Sequence, residues 1–260
     1  ELRRRQLESL MAEIGRPVTL MEVCGSHSHA VAKSGLRSLL PGELTLLSGP
    51  GCPVCVSSAS FIANAIELCR RNVKVAVFGD LLRVPSPAGT LGEEKGLLVI
   101  YSPEEALDYA RANPGQEVVL AAVGFEPTLA ATAALLDEAA EIKAANFSVL
   151  CDFKNLRPVL DLLAEDRSAN LDGFLLPGHV AAVIGRRAFD GLALPGVVSG
   201  FTPENILDSI ELLLGLTANR RTESLNNYGP VVNESGNIEA VNLIRKYFEI
   251  RSEERRVGKE

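Results

Sequence analysis

The 260-residue chain has no tryptophan, two methionines and three histidines, and aromatic residues make up only 5% of it. Its five cysteines all fall at or before Cys151. An odd, small cysteine count with no export signal excludes a disulfide-dense secreted module. It predicts thiols that are free, metal-bound or redox-active in a reducing cytoplasm. The opening stretch, ELRRRQLESLMAEIG, is charged and helical in pattern and lacks the apolar core of a signal peptide. No apolar run approaches the roughly 18 residues that suggest a membrane span. Positive charge is also short: 26 Lys and Arg stand against 33 Asp and Glu, a net charge of −7. That balance argues against nucleic acid or an anionic membrane as the main partner. What is present is ordinary globular material, 47% apolar and 23% charged. It suffices for a sizeable core. At roughly 100–200 residues per domain, the length predicts one large domain or two modest ones.

Apolar strands alternate with helical segments throughout. Val18–Val23, Leu44–Leu47, Val73–Phe78, Val118–Val123 and Gly173–Leu176 read as buried strands. Helices are expected at about Ala30–Leu40, stopped by Pro41-Gly42, and at about Val56–Arg70. This alternation predicts an α/β fold with parallel sheets flanked by helices. Asn113-Pro114-Gly115 is the best boundary, giving two similar domains at 1–115 and 116–228 with a cleft between them. Gly-Phe-Xaa-Pro occurs at Gly124–Pro127 and again at Gly200–Pro203, each after an apolar strand.

Cys24, Cys52, Cys55, Asp80, Glu126 and His179 all follow predicted strands. Open parallel sheets bind ligands outside the carboxyl ends of their strands, so these residues are expected to converge. The Cys52-Pro53-Val54-Cys55 turn is the sharpest signal. Placed before a helix, Cys52 would have its thiolate favoured by the helix dipole, which suits reversible disulfide chemistry. Half of a zinc site is the competing use, although the chain has no second CxxC. Cys24-Gly25-Ser26-His27-Ser28-His29 gathers one thiol and two imidazoles within six residues. That set suits a soft metal ion or a Cys–His nucleophile. A solitary histidine such as His179 is more often a structural hydrogen-bonder than a ligand unless it converges on Cys24. Asp80 and Glu126 are as compatible with capping the next element as with a site. Cys69 and Cys151 read as packing residues, and Lys33 with Arg37 as a solvated face.

MEVCGSHSHA at Met21–Ala30, SGPGCPVCV at Ser48–Val56, FGDLLRVP at Phe78–Pro85, GFEPT at Gly124–Thr128 and LPGHV at Leu176–Val180 closely resemble, in this order, the HypD family of [NiFe]-hydrogenase maturation proteins. The resemblance runs from about Pro17 to at least Tyr228. It implies a scaffold for the Fe(CN)2CO group, working with the small chaperone HypC and the HypE–HypF cyanide donor. By the same resemblance Cys24 holds the iron with His27 beside it. Cys52 and Cys55 do thiol redox work, and His179, Glu126 and Asp80 support the site.

The family also implies a C-terminal domain with a [4Fe–4S] cluster, whose cysteine ligands are absent here. Residues 229–250 are therefore expected to begin a truncated C-terminal region, and the highly charged 251–260 to be a non-native tail. Two other functions compete on the residues alone: a thiol–disulfide oxidoreductase using Cys52 and Cys55, and a zinc-dependent or Cys–His hydrolase centred on Cys24 and His27.

Overall fold

The structure, a computed structural model, describes residues 2–250. The expected non-native tail at 251–260 lies outside them. The fold is α/β, with two parallel sheets flanked by helices. Along the chain come α1 (Leu2–Ile14), β1 (Val18–Glu22), α2 (Gly25–Ser34), β2 (Leu44–Ser48), α3 (Ala59–Arg70) and β3 (Lys74–Phe78). Next are β4 (Leu97–Ile100), α4 (Glu104–Ala112), β5 (Val118–Gly124), α5 (Glu126–Glu141), β6 (Phe147–Phe153) and α6 (Leu156–Glu165). The chain continues through β7 (Gly173–Pro177), α7 (Gly178–Ile184), β8 (Gly196–Ser199), α8 (Pro203–Ala218), β9 (Ser224–Asn226) and α9 (Ile238–Tyr247).

Two compact units divide these elements. Of the described residues, the first takes 2–58, 123–127 and 152–237, and the second takes 59–122, 128–151 and 238–250. This differs from a single linear cut near residue 115. The reason is strand pairing: β1 finds its inner neighbour in β7, Leu20 opposite Gly173 and Glu22 opposite Leu175. The first sheet therefore draws strands from both ends of the sequence, in the order β2-β1-β7-β8-β9. The second sheet runs β4-β3-β5-β6. Residues 238–247 form α9, which belongs to the second unit.

In the first sheet β1, β7 and β8 are apolar on both faces, as inner parallel strands covered by helices must be. Leu20, Phe174, Leu175, Leu176, Val197 and Val198 are all fully buried. Helix α8 covers one face with Ile206, Ile210, Leu213 and Leu214. Thr202 starts that helix by accepting a hydrogen bond from the Asn205 amide at 3.2 Å, and Pro203 fits its first turn.

Helix boundaries moved where local capping overruled the coarser punctuation. Cys24, in extended conformation, launches α2 five residues before the expected start at Ala30. Gly35, left-handed at φ 65°, ends it well before Pro41. Helix α3 begins at Ala59 because 52–57 is spent in consecutive tight turns.

Leu175 sits fully buried at the centre of the first sheet. Leu175→Ala is expected to cost about 2–5 kcal/mol through lost burial and the cavity left behind. Leu39→Ala, at a side chain 47% exposed, should stay within about 0.5 kcal/mol. Urea unfolding followed by circular dichroism measures both, and equal losses would overturn this account of the core.

Candidate functional site

Four adjacent strands of the first sheet run parallel, so their carboxyl ends finish on one edge. There β1 delivers Cys24, β2 the Cys52–Cys55 turn, β7 His179 and β8 Gly200-Phe201. Cys24 is buried and caps the N-terminus of α2. Its carbonyl accepts the amides of His27 at 3.0 Å and Ser28 at 3.2 Å. Its Sγ stands 3.7 Å from His179 Nε2. The sequence reading assigned the helix terminus to Cys52. The structure gives it to Cys24, because α2 starts at Gly25 and the Cys52 turn is followed by a helix only from Ala59.

His27 is fully buried. Its Nε2 donates to the Gly200 carbonyl at 3.0 Å. A carbonyl only accepts, so in the neutral ring Nδ1 carries the lone pair. Nδ1 is buried with no partner among the described residues. Burial pushes the His27 pKa down to about 4, more than the Gly200 and Ser199 carbonyls restore. His179 is more exposed, and partial desolvation lowers its pKa as well. Both rings lie against Phe201: His179 is stacked on it at a centroid distance of 5.0 Å and 21°, and His27 is tilted at 4.8 Å and 30°.

The dithiol turn abuts the Cys24 backbone. A Cβ on Gly51 would fall 2.5 Å from Cys24 Cα and 2.6 Å from its nitrogen, so only glycine fits. With consecutive Cα atoms ~3.8 Å apart, Cys52 Cα lies within about 8 Å of Cys24 Cα. The Cys52 and Cys55 sulfurs are 2.6 Å apart, and the Cys55 amide points at Cys52 Sγ at 3.4 Å. The thiol hydrogen bond to Cys52 raises the Cys55 pKa.

The two acids divide. Glu126 is 5% exposed, and its Oε1 accepts the Leu156 amide at 2.9 Å, tying GFEPT to the start of α6. Burial raises its pKa, and Oε2 is without a partner among the described residues. Asp80 is exposed in a short helical turn of the second unit. His29 is exposed.

Sequence reasoning missed Phe201, Tyr228 and Glu22. Glu22 is fully buried beside Cys24 and accepts the Ser48 hydroxyl at 2.7 Å. Arg37 is exposed, as a solvated face requires, and it also donates to the Leu46 carbonyl at 2.6 Å and reaches Glu22 at 3.5 Å. An acid ending an otherwise apolar strand was the available signal for Glu22, and the repeated Gly-Phe-Xaa-Pro the signal for Phe201. Among the described residues, no three His, Cys, Asp or Glu side chains are grouped so as to hold a metal ion. No described helix is long and apolar enough to cross a membrane.

Because His27 is depressed in the folded state, the unfolded chain binds its proton first as pH falls. Stability present above about pH 6.5 is therefore lost as pH drops towards 4, by up to about 3 kcal/mol. Equilibrium unfolding across this window should show the slope in the parent and a flatter one in His27→Gln. Equal slopes would overturn the assignment of a buried neutral imidazole.

Comparison with known proteins places these residues in context. The HypD family model, described as the hydrogenase formation hypA family, matches residues 2–258. The chain is 37% identical over 256 residues to the hydrogenase maturation factor HypD of Rhodobacter capsulatus, covering 95% of this chain and 68% of that protein. It is 38% identical over 242 residues to HypD of Escherichia coli, covering 90% of this chain and 65% of that protein. With the hydrogenase expression/formation protein HupD of Azotobacter chroococcum it shares 36% identity over 255 residues, 92% of this chain and 67% of the relative. It thus spans about two thirds of the length of the curated relatives it matches.

Proposed function

The chain belongs to the HypD family of hydrogenase maturation proteins, and from that premise we propose that its first unit is a scaffold on which iron acquires cyanide and carbon monoxide. The observation that carries this reading is the buried Cys24 Sγ at 3.7 Å from His179 Nε2. Iron is the cargo. An ion bearing strong-field diatomic ligands is soft and suits a thiolate anchor. A donor set of one thiolate with imidazoles beside it suits cargo that brings most of its own ligands.

Each residue then has a definite task. Cys24 holds the cargo at the α2 N-terminus, where the helix dipole favours negative charge. His179 takes or returns the Cys24 thiol proton. Held neutral by burial, His27 offers the Nδ1 lone pair as an acceptor. Cys52 and Cys55 form a dithiol that can pass two electrons and two protons to an external disulfide or other two-electron acceptor on closing to a disulfide. Through Gly51, that change occurs against the Cys24 backbone. Glu126 works by fixing α6.

HypC as partner, the HypE–HypF complex as cyanide source and a cytoplasmic setting complete the proposal on the family resemblance. The sequence has no cysteine beyond Cys151. The residues present therefore do not fit the family's C-terminal [4Fe–4S] cluster, and no step is routed through one.

A second reading, favoured by the 2.6 Å separation of the Cys52 and Cys55 sulfurs, is a thiol–disulfide oxidoreductase. Infrared spectroscopy of anaerobically purified protein co-expressed with HypC separates the two. Cyanide and carbonyl stretches in the parent, lost in Cys24→Ala, are the expected result. Their absence from the parent overturns the scaffold. A measurable two-electron thiol potential without iron binding establishes the oxidoreductase instead.

A further inference from the structure

Phe201 touches both imidazoles: it is stacked on His179 at a centroid distance of 5.0 Å and 21°, and tilted against His27 at 4.8 Å and 30°. It is itself gripped from the side. Tyr228 meets it edge-on, 6.2 Å between centroids at 84°. That edge-to-face arrangement sets the aromatic quadrupoles favourably. Tyr228 in turn is wedged against two backbones: a Cβ on Gly178 or on Gly200 would lie 2.6 Å or 2.8 Å from its ring. Those glycines immediately precede His179 and Phe201. The Tyr228 backbone is fixed as well, its amide donating to Asn226 Oδ1 at 2.9 Å and its carbonyl accepting Val232 N at 2.9 Å. One tyrosine thus braces the ends of both β7 and β8.

His27 has a second restraint, its bond to the Gly200 carbonyl. His179 has its Phe201 stack and its contact with Cys24. Without a ring behind it, an exposed imidazole would sample other rotamers and lose its alignment with the sulfur.

We propose that Phe201, braced by Tyr228, is the positioning residue that holds His179 in register with the Cys24 thiol. The proposal rests on the reading of Cys24 and His179 as a working pair and adds the element that orients them. Phe201 acts through the imidazole and exchanges no proton itself.

The test is the pH profile of Cys24 alkylation by iodoacetamide in the full chain, resolved by peptide mass spectrometry. Phe201→Leu and Phe201→Met are compared with Phe201→Tyr and His179→Ala, circular dichroism identifying the variants that fold. Removing the aromatic face should slow Cys24 alkylation near neutral pH several-fold, because the imidazole is no longer held against the thiol. Phe201→Tyr should restore the parent profile. His179→Ala should match Phe201→Leu, and the double variant should be no slower than either, as expected when one residue acts through the other. A parent-like profile in folded Phe201→Leu or Phe201→Met, with His179→Ala slowed, overturns the positioning role alone. A parent-like profile in His179→Ala overturns the working pair and the proposal with it.

Discussion

The alignment of β1 with β7, and of β7 with β8, is the constraint on which the rest depends. Leu20 stands opposite Gly173 and Phe174 opposite Gly196. Parallel strands held in this register must end together. A slip of one residue would reverse the side chains of a buried strand and is opposed by the whole core. Cys24, His179 and Phe201 therefore owe their proximity to apolar packing several residues away. The chemistry at the edge is spent on orientation, through one imidazole–carbonyl bond, one aromatic brace and one glycine contact.

Buried polar groups of the first unit are held unequally. Glu22 has the Ser48 hydroxyl and Arg37, Glu126 has one amide, and His27 has one carbonyl. Each keeps a second atom without a partner among the described residues. Buried polar atoms are normally satisfied. Glu22 and His27 flank Cys24 in sequence and Glu126 belongs to the same unit. Glu22 and His27 belong to the motif around Cys24, and Glu126 to GFEPT.

Much of this was legible in the sequence. Apolar runs located most of the strands, and the scarcity of cysteine and histidine drew attention to Cys24, His27, Cys52, Cys55 and His179. What escaped was decided by geometry over long sequence separations. The pairing of β1 with β7 could not be read from either strand, so the division of the chain near 115 gave way to an interleaved one. Helix starts at Gly25 and Ala59 were set by capping and by successive tight turns, weaker signals than Pro41-Gly42. Phe201 and Tyr228 have unremarkable compositions, and only their placement beside the imidazoles gives them significance. Asp80 and Glu126 both follow strands of the second sheet, β3 and β5, whereas Cys24, the Cys52–Cys55 turn and His179 follow strands of the first.

The pairing of β1 with β7 also sets a schedule for synthesis. Glu22 leaves the ribosome about 150 residues before the Leu175 it will face. At ~5–20 residues per second that interval lasts on the order of ten seconds or more. Through it, β1 has no inner neighbour, and its apolar edge must be kept from pairing elsewhere. The thiol–imidazole edge is complete only once Tyr228 has been made. A nascent chain therefore carries its reactive cysteines for most of its synthesis before the structure that orients them exists.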